Sequence, residues 1–251
     1  MTAIFKCCFQ KERIEYIEEG ATGVVCKIVR RGKTIARKKF TNIEILEKEL
    51  SILKKIKGSE RLQQYLYHNI KKKCIYTKYI EGTDLFIHLE DRNYGNEFIQ
   101  KVGNGILLGL VELEKHGLVH LDIKPENIII DKNENIHIID FDTSKYLTNE
   151  KNTLLYMCGT KEYSPPEFKE KYYTKTSDVW SVGVILWIMK SGYIPFEDVM
   201  VSIKDNFCYE IIKFDNCFIN LMHEMLVKDP TKRSTIKQLL EHPFLITTTV
   251  I

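Results

Sequence analysis

Between Arg13 and Phe40 apolar and polar positions follow one another in short β-prone runs, I-E-E-G-A-T-G-V-V-C-K-I-V and T-I-A-R-K-K-F, broken at Gly20, at Gly23 and at the Arg30-Arg31-Gly32-Lys33 turn. Glycine-bearing breaks between such runs predict three strands joined by two turns. At Asn42 the period changes. Ile43, Leu46, Leu50, Leu53 and Ile56 recur at spacings of three and four, which predicts a helix over 42–57 with Gly58 as its stop. Two further strands are expected over 64–68 and 74–79, and the glycine-marked break E-G-T-D-L that follows sets a boundary. From Leu85 onward the signals are mainly helical: an amphipathic segment over 97–116 ends at Gly117, and Val179 to Met189 is apolar enough to read as a buried helix. That run is well short of a bilayer span and contains Ser181 and Gly183. The pattern is α+β, with a small β-rich part over 1–80 carrying one main helix, a larger mostly helical part over 81–251, and a tail over 246–251 expected to fray.

Composition narrows the partners. The 251 residues suffice for one large domain or two lobes with a sizeable core. Seven cysteines, Cys7, Cys8, Cys26, Cys74, Cys158, Cys208 and Cys217, form an odd set with no C-x-x-C pair and no zinc-like spacing with histidine. They read as reduced thiols of an intracellular protein. A net charge of +3, from 37 basic and 34 acidic residues, gives no ground for a nucleic acid or membrane partner. The runs Arg30-Arg31-Gly32-Lys33 and Lys71-Lys72-Lys73 fall at expected turns and read as solvated. Thr2 stands where myristoylation requires glycine, and the apolar start is too short for a signal peptide. A monomer in the cytoplasm is assumed, in host-cell cytoplasm if the Ile- and Lys-rich usage reflects a viral or parasitic genome, with the nucleus left open.

The chemistry concentrates in V-H-L-D-I-K-P-E-N-I-I-I-D-K-N-E-N-I-H-I-I-D-F-D, from Val119 to Asp142. Asp122, a lysine two residues on, Asn127 and then Asp140 after a short apolar hairpin suit phosphoryl transfer: one carboxylate receives a proton, while Asn127 and Asp140 hold magnesium. Elsewhere, Gly20 and Gly23 would let backbone lie close over a phosphate chain. The dinucleotide-binding reading fails because a strand, not a helix, follows them. Period-two alternation puts Ala36 and Lys38 on one face, and Glu49 lies beside the apolar stripe of its helix, able to turn toward Lys38. Each of these has a plainer reading, as a turn, a surface lysine and a solvated glutamate.

The motifs together resemble the eukaryotic-type protein kinases, serine/threonine branch, from about Tyr16 to Leu245. H-L-D-I-K-P-E-N is similar to the catalytic loop, D-F-D to the magnesium-binding position, C-G-T-K-E-Y-S-P-P-E to the end of the activation segment, and S-D-V-W-S-V-G to the central buried helix. D-P-T-K-R resembles the segment whose arginine, here Arg233, pairs with Glu167. The resemblance implies a bilobal fold, ATP and Mg²⁺ as cofactors, and protein substrates bearing Ser or Thr. It makes Asp122 the catalytic base, gives Lys124 the transferring phosphoryl group and Asn127 and Asp140 the metal, and has Lys38, paired with Glu49, hold the α- and β-phosphates. It places Thr77 at the gatekeeper position with Lys78, Tyr79 and Ile80 as the hinge, Ile17, Val25, Ala36 and Ile129 around adenine, and Gly20 and Gly23 at the phosphates. Lys124 and Thr160 both fit the serine/threonine class.

Four departures stand out. Glu18 occupies the first glycine position of the phosphate loop, Leu121 replaces the arginine that precedes the catalytic Asp, Asp142 stands where the family has glycine, and the stretch from Phe196 to Leu221 is short. Leu121 removes a cation that would receive an activation-segment phosphate, so activity is expected without phosphorylation of Thr148 or Thr153. If residue 142 needed a positive φ, Asp142 would cost about 1–2 kcal/mol. Two rival readings remain at this stage: a kinase-like binding module with weak or no catalysis, and a small-molecule phosphotransferase of similar fold.

Overall fold

A computed structural model of the chain describes residues 13–30, 32–89, 94–156, 158–195 and 214–246. Cys7, Cys8, Arg31, Cys208, the segment 196–213 and the tail 247–251, on which several sequence expectations fall, lie outside the described residues. The chain divides into two compact units, Met1–Lys57 with Gln64–Ile80, and Gly58–Gln63 with Glu81–Ile251. A single cut after residue 80 therefore misplaces Gly58–Gln63. The reason is backbone pairing: Ile138 donates to the Arg61 carbonyl at 2.8 Å, and its own carbonyl accepts from Gln63 at 3.0 Å.

In the first unit, strands β1 (Arg13–Gly20), β2 (Gly23–Arg30) and β3 (Lys33–Phe40) lead into helix α1 (Ile43–Lys55), then β4 (Tyr65–Asn69) and β5 (Cys74–Lys78). They form one antiparallel sheet in the order β1-β2-β3-β5-β4. Gly23 is demanded by the sheet itself, since a Cβ there would lie 2.1 Å from the Lys39 carbonyl oxygen, whereas at Gly20 there is open space. Helix α1 starts where Asn42 accepts from the Glu44 amide at 2.7 Å, and it buries Leu46, Leu50, Ile52, Leu53 and also Glu49.

The second unit runs β6 (Gly82–Asp84), α2 (Leu85–His88), α3 (Asn96–Glu114), β7 (Leu118–Val119), β8 (Ile128–Asp131), β9 (Ile136–Ile138), β10 (Lys145–Tyr146), β11 (Asn152–Thr153), β12 (Tyr172–Tyr173), α4 (Ser177–Ser191), α5 (Asn216–Met225) and α6 (Ile236–Leu240). Its strands make three small sheets, β6-β8-β9, β7-β10 and β11-β12. Helix α4 is buried along almost its whole circumference and ends at Gly192, φ +77°. The β8–β9 hairpin lies hard against α3, because a Cβ at Gly105 would sit 2.4 Å from Ile136 Cβ and one at Gly109 2.7 Å from Ile138 Cδ1. Close packing of this kind holds the hairpin's ends, and so the residues that flank it, in one place. No helix among the described residues is long and apolar enough to cross a membrane, and Cys26, Cys74, Cys158 and Cys217 form no disulfide.

Two polar devices fix this unit. Arg233 grips Glu167 through both guanidinium NH groups at 2.8 and 2.9 Å, with both side chains fully buried, and its Nε donates to the Val227 carbonyl at 3.0 Å. Asp131 closes the β8–β9 turn by accepting from the Asn133 and Asn135 amides at 2.8 and 2.9 Å and from His137 Nε2 at 3.1 Å. Burial works to raise the Asp131 carboxyl, but the Asn135 and His137 donors outweigh it and hold the group well below the usual carboxylate range.

Arg233→Met should strand the Glu167 carboxylate in the core and cost about 3–5 kcal/mol in urea denaturation, and adding Glu167→Leu should recover part of that loss. For Asp131, the folded-state value lies below the unfolded one, near 3.9, so its stabilisation is full above that pH and fades as pH falls toward the folded value. Between about pH 6 and about pH 3 the urea midpoint of the wild type should therefore drop further than that of Asp131→Asn.

Candidate active site

The loop from His120 to Asn127 is shaped by a carboxylate beneath it. Asp178, in the first turn of α4 and buried, accepts from the His120 and Leu121 amides, both at 2.7 Å. Burial pushes the Asp178 carboxyl up, against the opposing pull of His120 and the two amides. Leu121 is left-handed at φ +68°, a conformation that costs an L-residue about 1–2 kcal/mol and that the two bonds to Asp178 offset. His120, fully buried, ties the loop to the hairpin that follows it. Its Nε2 faces the Ile139 carbonyl at 3.1 Å, its Nδ1 accepts from the Asp122 amide at 3.3 Å, and its carbonyl accepts from Thr143 Oγ1 at 3.0 Å. Those partners call for the Nε2–H tautomer.

Held this way, Asp122 meets four groups. Its Oδ1 accepts from the Thr160 amide at 2.8 Å and hydroxyl at 3.0 Å, and its Oδ2 from Asn127 Nδ2 at 3.2 Å. Lys124 Nζ lies 3.5 Å from Oδ2. Asn127 Nδ2 also donates to the Asp122 carbonyl at 2.8 Å, which fixes the amide and leaves its oxygen as the acceptor end. Gly159, at φ +77°, lets the segment carrying Thr160 come against the loop, since a Cβ there would lie 2.5 Å from the Leu121 carbonyl oxygen. Ser164 Oγ donates to the Thr160 carbonyl at 2.9 Å, and Ser181 Oγ of α4 to the Tyr163 carbonyl at 2.8 Å, so this segment too is anchored.

Asp140 follows β9 and is left-handed at φ +62°. Its amide donates to Gln63 Oε1 at 3.4 Å, and its own Oδ1 accepts from the Asp142 amide at 3.3 Å. Asp142 has no positive φ, so the strain considered for it on sequence grounds does not arise. Beside the candidate base and metal residues, the left-handed positions are Leu121 and Asp140.

In the first unit, Lys38 Nζ lies 2.9 Å from Glu49 Oε2, with Glu49 buried. Cross-strand pairs put Lys38 beside Val25 and Ile75, and Ala36 beside Thr77, so these residues share one sheet face. Thr77 is buried and Ile17, at the bulge between Tyr16 and Glu18, is exposed. Tyr79 takes the Lys27 ammonium over its ring at 4.9 Å. Gly20 pairs with Gly23 at the tip of β1 and β2, and Glu18 pairs with Val25. Ile129 belongs to β8 and Ile80 ends the first unit.

Sequence reasoning missed His120, Asp178, Gly159 and Gln63 as positioning residues. The first three were visible as letters inside quoted motifs. Their role was not, because a buried carboxylate serving backbone amides some 57 positions away leaves no periodic signal.

A family model described as the protein kinase domain matches residues 12–245. Among curated proteins, the chain is 29% identical over 248 residues to serine/threonine-protein kinase TIO of Arabidopsis thaliana, covering 92% of this chain and 19% of that protein. It is 34% identical over 193 residues to maternal embryonic leucine zipper kinase of Xenopus laevis, covering 72% and 30%. With serine/threonine-protein kinase 36 of Pongo abelii it shares 30% over 251 residues, covering 92% and 19%. The chain belongs to the protein kinase family, and the Arabidopsis thaliana and Pongo abelii relatives, each matched along 92% of it, carry the names of serine/threonine-protein kinases. It spans half or less of the length of these relatives.

Within that family the surroundings of Leu121 are informative. Its side chain is buried in an apolar cluster with Val119, Leu154, Phe168 and Tyr173, against which Leu147 and Cys158 pack. The segment carrying Thr148 and Thr153 is thus held to the loop from His120 to Asn127 by apolar burial. Thr148 is already committed: its hydroxyl donates to Asn152 Oδ1 at 2.9 Å, which also takes the Thr148 and Asn149 amides at 2.9 and 3.1 Å.

A protein with Thr148→Ala and Thr153→Ala together should keep its phosphorylation rate on a generic substrate within about threefold of wild type, the lost hydroxyl bond being worth about 1 kcal/mol at most to stability. Loss of activity in that variant would refute the packing account.

Proposed function

We propose that this domain transfers the γ-phosphoryl group of ATP to Ser and Thr hydroxyls of protein substrates, with Asp122 as the base. The observation that carries this reading is the Asp122 carboxylate itself: a partly exposed group whose orientation is locked by Thr160, Asn127 and the loop backbone while one oxygen faces Lys124. A base set in advance receives the hydroxyl proton without reorganisation. Lys124, beside it, offsets charge on the phosphoryl group as the bond to the leaving oxygen breaks. Thr160 and Lys124 support the choice of Ser and Thr over Tyr.

The first unit supplies the nucleotide contacts in this reading. Lys38, aimed by Glu49, binds the α- and β-phosphates. Backbone at Gly20 and Gly23 lies over them, and Ile17, Val25, Ala36, Thr77, Tyr79 and Ile80 contact adenine. Asn127 and Asp140 fit Mg²⁺ by their chemistry: a carboxylate and a carboxamide oxygen, the latter exposed to a ligand because its nitrogen is tied to Asp122. Bound there, the ion would neutralise phosphate charge. The ordinary φ of Asp142 and the formed Lys38–Glu49 pair favour an active enzyme over a kinase-like binding module.

With purified protein, radiolabelled ATP, Mg²⁺ and a mixed protein substrate, Asp122→Asn is expected to lower incorporation by about 10²- to 10⁴-fold while nucleotide affinity stays near that of wild type. Equal incorporation by the two proteins would sink the assignment.

A further inference from the structure

Two basic runs that look unrelated in sequence meet in the first unit. Arg30, at the end of β2, and Lys71, Lys72 and Lys73, in the turn between β4 and β5, surround one cavity of about 700 Å³ together with Arg37 and Lys39 of β3. Strand alternation turns Arg37 and Lys39 to the sheet face opposite Ala36 and Lys38, so this cavity is separate from the residues assigned to nucleotide. Its lining includes no carboxylate. Tyr67 and Tyr76, stacked at 4.3 Å between ring centroids, give it an aromatic wall.

Six cations around one concavity repel each other, and the sheet would be more stable with the charge neutralised. Lys73 is already bonded, its Nζ donating to the Thr41 carbonyl at 3.0 Å. Arg37 is engaged as well, its side chain hydrogen-bonded to the Cys26 thiol of β2, and its buried Nε has no hydrogen-bond partner. The Cys74 thiol at the cavity wall is pushed up by burial and pulled down by Arg37 and Lys39, so those cations converge on this point.

We propose that this cavity binds a phosphorylated Ser or Thr side chain within an acidic segment of a protein partner. A guanidinium fork matches phosphate oxygens in geometry as well as charge, and the volume is that of a compact ligand site. A nucleic acid strand would be tracked by an extended groove with successive stacking rings, and here the two rings stack on each other. A bilayer surface would meet a broad basic face and not a concavity. The choice of phosphoserine or phosphothreonine rests on the proposed function, since that reaction makes such groups. The binding itself needs no catalysis.

Fluorescence anisotropy on the purified chain without nucleotide can test this, using a labelled acidic peptide carrying one phosphothreonine, the same peptide unphosphorylated, and a labelled single-stranded oligonucleotide. The phosphopeptide should bind at least about tenfold more tightly than its unphosphorylated form, and Lys71→Glu with Lys72→Glu, both on an exposed turn, should weaken it by a similar factor. Arg30→Glu, at a separate exposed position, should act in the same direction if the first variant folds poorly. Asp122→Asn should bind as wild type does, and the Lys71, Lys72 variant should phosphorylate a generic substrate normally, so a failure here and a failure of the kinase reading are told apart. Equal binding of the two peptides, no effect of either charge reversal, or tighter binding of the oligonucleotide would overturn the proposal.

Discussion

The carboxylate of Asp178 is buried at the head of a helix that is itself buried, and it spends both oxygens on two consecutive backbone amides, those of His120 and Leu121. An isolated carboxylate in such a place would be costly, and the loop supplies the donors that make it tolerable. In return the loop is bent through a left-handed residue, Leu121, immediately before Asp122. The direction of the Asp122 side chain, the bond from its amide to His120, and the approach of Thr160 all follow from that bend. A change at Asp178 would act on chemistry it never touches.

A second constraint is apolar. Leu121 belongs to a cluster with Leu154, Phe168 and Tyr173, so the segment between β10 and α4 is fastened to the loop by burial, which neither salt nor a phosphatase undoes. The buried Arg233–Glu167 pair fastens the far end of the same segment. Such a pair adds little net stability compared with an apolar replacement, but it tolerates only one geometry. The two together keep Thr160 against Asp122.

Much of this was legible in the chain. The three first strands, a helix expected over 42–57 and found over 43–55, and the long helix ending near Gly117 followed from periodicity and glycine stops, because one-sided burial imposes its own period on sequence, and the apolar run Val179 to Met189 marked the buried helix found over 177–191. Motif alone singled out Lys38, Glu49, Asp122, Asn127 and Asp140, and the roles proposed for them rest on that resemblance and on the local geometry. What the letters did not contain was the assignment of Gly58–Gln63 to the second unit, which depends on pairing with Ile138, or the location of the strain. Asp142 drew attention as a non-glycine at a glycine position, while among the non-glycine residues beside the candidate site positive φ is found instead at Leu121 and Asp140. A residue's type constrains φ, but hydrogen bonds to distant partners decide which residue must bear the unusual value.

The sequence by itself determined the class of fold and the family, since both are written in local order and spacing. Tertiary structure alone decided which groups meet. It set Asp178 under the loop and Leu121 in an apolar cluster. It also gathered Arg30 and Lys71–Lys73, which read singly as solvated turns, with Arg37 of β3 around one cavity. Periodicity reports which side of an element is buried, but contact between elements depends on the path of the chain between them, and residues 30 and 71 become neighbours only when the strands between them pair.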